Sequence, residues 1–188
     1  MNHSLAFNAN RTLTQDEITE QSKIVNIFRF DDLEKFKTKY ALTDSFMLND
    51  DKFGAFSEML GQKPSLLSVA AYFNAIKIGE YLFQSGASAS AVDQLFRNPA
   101  HFAGAGGSLD FMHLLETHHA DLNATDSKQK SYIHYAAELD KVEILKYAYI
   151  SGVSLDEPSI EGCPIHLACK TGSFLSIEFL TKTKKVDL

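Results

Sequence analysis

The chain has 188 residues, 45% hydrophobic and 22% charged, with a formal net charge of −6. Such content can build a sizeable core, while the acidic balance argues against duplex nucleic acid or an anionic membrane as the main partner, because both demand concentrated basic surface. Two cysteines, Cys163 and Cys169, lie too close together to staple a domain, so a reducing compartment is expected, the cytoplasm or the nucleus; no apolar run approaches the roughly 18 residues of a membrane span.

Residues 1–13 are polar with scattered apolar positions and read as a flexible tail. Residues 14–61 read as a helical N-terminal cap or degenerate repeat. Thr14 and Glu17 have capping-box spacing ahead of Ile18, Ile24, Val25, Ile27 and Phe28, an apolar helical period. Asp31 and Glu34 repeat that spacing ahead of Leu33, Phe36 and Tyr40, and Asp31 to Lys37 is similar to Asp140 to Lys146 further on. A third helical piece over about 51–60, with Phe53, Phe56, Met59 and Leu60, is expected beside them.

From residue 62 onward the chain repeats itself. Segments starting at Ser65, Asn98, Ser131 and Cys163 lie 33, 33 and 32 residues apart. That period marks stacked helix pairs, each burying its apolar face against its neighbours. Units of about 62–94, 95–127, 128–160 and 161–188 follow. In each, Ser65, Asn98, Ser131 or Cys163 stands at the cap of a first helix, and Pro99 and Pro164 fit the first turn, where a missing N–H costs nothing. Second helices are expected around Ile78, Tyr81 and Leu82; Phe111, Met112, Leu114 and Leu115; Val142, Ile144, Leu145, Ala148 and Tyr149; and Ile177, Phe179 and Leu180. Gly86 and Gly152 stop the first and third of these as left-handed residues. Such a stack is all-α, a solenoid of antiparallel helix pairs with short hairpin-like loops.

The unit resembles the ankyrin repeat, whose signature is Thr-Pro-Leu-His followed by two Ala and later Gly-Ala-Asp-x-Asn. Pro99, His101 and Ala103 match, followed by Ala120-Asp121-Leu122-Asn123; so do His134, Ala136 and Ala137, then Pro164, His166 and Ala168, then Ala70, Ala71, Gly86 and Ala87. Ser68 replaces the motif histidine, His119 the helix-ending glycine and Cys163 the capping Thr. The resemblance implies that His101, His134 and His166 each bond loop backbone and tie adjacent units together. It also implies a protein-binding scaffold without catalysis, whose partner lies on the loop tips and inner helices. That places Phe96, Arg97, Gln129, Lys130, Tyr132 and Glu161 at the tips, with Tyr72, Phe73 and Tyr135 on the inner face. Phe96 and Tyr132 are the best anchors, since exposed aromatics supply much contact area at small entropic cost. The alternative for each is a residue half-packed under its own loop.

No catalytic or cofactor constellation emerges. Equivalent histidines on stacked helices lie about 8–10 Å apart, too far to share a metal. Cys163 and Cys169 are rotated about 120° apart on a helix, and His113, His118 and His119 lack further ligands at useful spacing. Ser131 and His134 lack a third group to orient the imidazole, and Gly104, Gly106 and Gly107 read as a helix-to-helix turn rather than a phosphate loop. Lys182, Lys184 and Lys185 suit a solvated helix end. The sequence stops at Val186-Asp187-Leu188, so the last face is expected to continue into a longer array or to be covered by a partner or a second copy. A regulatory or targeting region of a larger protein is therefore the second functional reading.

Overall fold

The computed structural model describes residues 15–40 and 58–184. The expected tail, the cap at Thr14, the 51–57 part of the third helical piece and the final residues from 185 lie outside them. Among the described residues the helices are α1 Gln15–Arg29, α2 Leu33–Lys39, α3 Leu66–Phe73, α4 Ile76–Gln84, α5 Pro99–Gly106, α6 Leu109–Thr117, α7 Tyr132–Glu138, α8 Val142–Ile150, α9 Pro164–Thr171 and α10 Phe174–Lys184, with a short 3-10 turn at Glu58–Gly61. The first helices of the pairs, α3, α5, α7 and α9, pack in an inner row, and α4, α6, α8 and α10 line up behind them.

Inner helices cap themselves. The Ser65 hydroxyl accepts from the Ser68 N–H at 3.0 Å, and Asn98 Oδ1 accepts from the Ala100 N–H at 3.1 Å, ahead of Pro99 at the first helical position. These caps satisfy donors that an inner turn cannot reach. The inner row is also close-packed: a Cβ on Gly104 would stand 2.6 Å from the Tyr132 carbonyl oxygen, so only glycine fits there. Gly104 and Gly106 thus lie within α5, not in a turn; Gly107 alone forms the connection.

Outer helices are capped from the preceding pair. Their own N-caps, Ala75, Ser108 and Lys141, make no side-chain cap bond. Instead Asp31 accepts from the Lys77 N–H at 2.8 Å and the Ile78 N–H at 3.0 Å, Asn74 from the Phe111 N–H at 3.1 Å, and Asp140 from the Ser176 N–H at 2.8 Å. Each of these residues follows an inner helix with a left-handed backbone, φ 49°, 56° and 57°. Asn and Asp tolerate that conformation better than other side-chain-bearing residues. Gly107 occupies the equivalent place and brings no side chain. Because Asp31 serves α4 as Asn74 serves α6, α1 and α2 stack on the array through the same contact. Phe28 and Phe36 are buried beneath them, with ring centroids 5.5 Å apart.

The outer helices bury Ile78 and Leu82, then Phe111, Met112 and Leu115, then Ile144, Leu145 and Ala148, then Leu180. Tyr149, expected on the buried stripe of α8, is turned outward at 42% exposure and meets Phe179 edge-on at 6.1 Å. Gly86 and Gly152 are left-handed as read, and His119 adopts the same conformation at φ 53°, which strains a residue bearing a Cβ. Asn74→Gly keeps the left-handed turn and deletes the cross-pair cap together with the exposed bond from the Asn74 amide to Asp110 at 3.0 Å. It is expected to cost about 1 kcal/mol of unfolding free energy, read from urea denaturation, the size of a lost helix cap.

Candidate functional site

Each loop from an outer helix to the next inner helix closes in a hairpin built on one side chain. Asp93 Oδ1 accepts from the Leu95 and Arg97 N–H groups, both at 2.9 Å, and the Asp93 N–H donates to the Arg97 carbonyl at 3.1 Å. Asp126 repeats this with Lys128 and Lys130, both at 2.8 Å, and its N–H donates to the Lys130 carbonyl at 2.9 Å. Phe96 and Gln129 supply the left-handed residue of each turn, at φ 63° and 62°. The hairpins are joined in series: the Gln94 N–H donates to the Gln62 carbonyl at 3.1 Å, Ser127 to Leu95 at 2.9 Å, and Ile160 to Lys128 at 3.0 Å. A row of tips linked through backbone results.

The third of these hairpins is shorter by one residue. Ser159 replaces the aspartate, its N–H reaches the Gly162 carbonyl at 3.1 Å, and Gly162 leads directly to Cys163. Gly162 stands where Arg97 and Lys130 stand, directly before the N-cap, and brings no cation.

Those two cations point inward. The Arg97 guanidinium donates to Asp93 at 2.7 Å and to the Met59 carbonyl at 2.7 Å, and lies 4.9 Å from the centre of the Phe102 ring. Lys130 Nζ lies 3.0 Å from Glu138 and 2.8 Å from Glu161, with the Tyr135 ring beneath it at 5.4 Å. Burial pushes the Lys130 ammonium down, but its bonds to Glu161 and Glu138 outweigh this and hold it above the usual lysine value. The hydrogen bond from Lys128, then that from Lys130, holds Glu161 down at about 2. The Tyr135 hydroxyl donates to Asp126 at 2.6 Å; burial first, and Asp126 second, raise its pKa.

Four of the expected surface residues are therefore corrected. Arg97 is 3% exposed, Lys130 4%, Tyr132 1% and Tyr135 7%. Arg97 turns in because the buried Asp93 carboxylate needs a counter-charge, and Lys130 because Glu138 and Glu161 both reach its ammonium. Tyr132 sits under the close approach to Gly104, where burial raises its phenol to about 12. Tyr72 and Phe73 are half-buried against one another, edge-on at 5.1 Å, and α5 offers only buried residues between Pro99 and Ala105, so the inner helices ahead of α9 present little. Phe96, Gln129 and Glu161 are exposed, the last tied to Lys128 and Lys130. Phe96 is 64% exposed, and Ile160, 69% exposed, and Val92, 40% exposed, extend the apolar character of the tips. The last two were missed; an apolar residue one or two places from a turn carboxylate or hydroxyl was the available signal.

The motif histidines share only half of their expected role. Nδ1 of His101, His134 and His166 accepts from the N-cap N–H of its own helix at 3.1, 3.1 and 3.2 Å, which puts the ring proton on Nε2. His101 Nε2 then donates to the Lys130 carbonyl of the next hairpin at 3.0 Å. His134 Nε2 makes no fully formed hydrogen bond, although the Glu157 backbone of the next loop interacts with the ring, and His166 is exposed. Among the described residues His101 alone makes a full hydrogen bond to the next hairpin.

The remaining candidates disperse. His113 pairs with Glu116 at 3.1 Å, His118 stacks flat on Phe83 at 3.8 Å, and Cys169 is exposed while Cys163 caps α9. Among the described residues no group of three or more His, Cys, Asp or Glu side chains is placed to hold a metal ion. Ser131 Oγ lies 3.1 Å from His134 Nδ1, but no carboxylate stands behind the ring.

Helix pairs stacked in register and joined through hairpin tips define a repeat solenoid. Its units are ankyrin repeats: the family's pattern, described as ankyrin repeats (3 copies), matches residues 67–158. Ankyrin repeats are generally non-catalytic protein-interaction modules. The chain is also similar to transient receptor potential cation channel subfamily A member 1 of Homo sapiens, 26% identical over 119 residues. That match takes in 60% of this chain and 10% of the channel's length. Among the described residues no helix is long and apolar enough to cross a membrane.

Two measurements follow. His101→Ala removes bonds on both ring nitrogens and leaves the buried Asn98 N–H without its acceptor, so it is expected to cost about 2–4 kcal/mol by urea denaturation, and His134→Ala about half of that. Burial also lowers the pKa of His101 and of His134. The unfolded chain therefore takes up protons first as pH falls below the ordinary histidine value near 6.5, and stability is lost in that direction. Melting temperature is expected to drop between about pH 7.5 and 5.5, and to drop less in the His101→Ala variant.

Proposed function

We propose that this chain is a non-catalytic scaffold that binds a protein partner along its hairpin tips, with Phe96 and Ile160 as the anchoring residues and Val92 and Gln129 beside them. The observation that carries the reading is Phe96. A left-handed aromatic costs about 1 kcal/mol or more relative to glycine, and here the side chain recovers nothing from the core. Strain of this kind at an exposed apolar residue is consistent with selection for contact rather than for folding. The tips carry little unpaired charge, since Lys128 and Glu161 neutralise one another, which suits the interior of an interface.

In this reading α1 and α2, over 14–61 with the segment that follows them, cap the array of residues 62–188 at its N-terminal side, and the protein works in the cytoplasm. A second reading is favoured by the span of the match to the channel, one tenth of that protein: the ankyrin repeats serve as the regulatory or targeting part of a larger protein.

The test separates strain from contact. Phe96→Gly is expected to raise the melting temperature slightly, by relief of the left-handed backbone, and to weaken partner capture from lysate of the source cells by tenfold or more, with Ile160→Ser adding to the loss. Capture of a specific partner that survives both changes would move the site off the tips.

A further inference from the structure

We infer that the edge of the array opposite the hairpin tips, where each inner helix turns into its outer helix, is a self-association surface. Its partner is a second copy of this chain, related by a two-fold axis that crosses the row at α5–α6. Two registers of residues build that edge. Every outer helix opens on an apolar residue: Leu33, Ile76, Leu109, Val142 and Phe174. Phe30, Phe73, Gly106, Leu139 and Thr171, each directly before a left-handed residue, form the other register. Folding recovers little from several of these side chains, since Phe30 is 73% exposed, Phe174 79%, Leu175 54% and Leu139 41%. Scattered singly, exposed apolar residues need no explanation; aligned along one edge at unit spacing they make a strip of the kind that marks an interaction surface.

Charge decides the occupant. The second residue of each outer helix is exposed, and in chain order these are Glu34, Lys77, Asp110, Glu143 and Leu175. Lys77 and Glu143 stand one unit to either side of Asp110, each 33 residues away. A two-fold axis at α5–α6 exchanges those units, so Lys77 of each copy meets Glu143 of the other. A parallel alignment would instead set Lys77 against Lys77 and Glu143 against Glu143. Among the described residues no ion pair engages the Lys77 ammonium, and Glu143 holds only an exposed pair with Lys146 at 2.7 Å. The antiparallel match therefore displaces no buried interaction.

The apolar registers obey the same symmetry. Reversal places Phe73 against Leu139 and Ile76 against Val142, and it brings Phe30, at one end of the row, beside Phe174, at the other. Gly106 brings no side chain to the axis. The stem of Lys141 lies across Gly107, its Cδ 3.0 Å from a Cβ built there, so a cation accompanies each Asp110 at the centre. Units spaced about 8–10 Å apart give a strip about 40 Å long and roughly 600 Å² per copy, near the low end for a specific dimer, which sets the affinity in the micromolar range.

Sedimentation velocity of the full 188-residue chain, over about 1 to 300 µM, tests this. A monomer–dimer equilibrium is expected, weaker in about 1 M NaCl. Lys77→Glu and Glu143→Lys are each expected to weaken the homodimer about tenfold or more by setting like charges face to face. Mixed together, the two variants are expected to pair with one another as tightly as the natural chain pairs with itself, because every facing pair is again opposite in sign. Leu139→Ser is expected to weaken association while far-UV circular dichroism stays unchanged, and Phe96→Gly, at the tips, to leave it as it was. A chain that stays monomeric throughout would overturn the inference. So would a dimer that ignores both charge reversals, the result if two copies met through their tips or through the α9–α10 face.

Discussion

Helices of seven to eleven residues leave much of their backbone unbonded, and in this array the neighbouring unit closes the gap. The residue that ends one inner helix turns left-handed, reaches across, and accepts from the first N–H groups of the next outer helix. Neither helix pair is complete alone. At three junctions that contact joins one pair to the next, and it explains why Asp or Asn, rather than glycine alone, ends three of the inner helices.

The same logic operates at the other end of each unit. A buried carboxylate folds the hairpin by accepting two N–H groups, and its remaining charge is met by an inward cation or a tyrosine hydroxyl. The cation then lies over an aromatic ring of the inner helix. Charge that looks available for binding in the sequence is thus consumed in building the loop. What remains outside at the tips without a charge partner is largely apolar, Phe96, Ile160 and Val92, with Gln129 beside them.

Much of the fold was legible because it is periodic. The N-caps, the prolines after them, the left-handed Gly86 and Gly152, and the likeness of Asp31–Lys37 to Asp140–Lys146 all stand in the sequence, and the last of these marks α2 as the counterpart of α8. The surface was less legible. Arg97 and Lys130 look exposed because Arg and Lys usually are; only the contact with Asp93 in one case, and with Glu138 and Glu161 in the other, reveals that they turn in. The 32-residue spacing before Cys163 was visible too, but that it shortens the turn and leaves Gly162 in place of a cation depended on the hydrogen bonds within the hairpin.

Gly107 and Gly172 stand in the register of Asp31, Asn74 and Asp140 without a reaching side chain, and of the two Gly107 is the one that faces a further helix pair among the described residues. The N-terminus of α8 therefore takes no side-chain cap from the preceding pair, and Glu143 in its first turn is offset by Lys141 at the N-cap. A Cβ built on Gly107 meets only the flexible stem of Lys141, at 3.0 Å. The array thus holds an unclaimed socket for an acidic residue at its centre, through which the cohesion of the middle pairs can be retuned by one codon without altering any residue of the hairpin ridge.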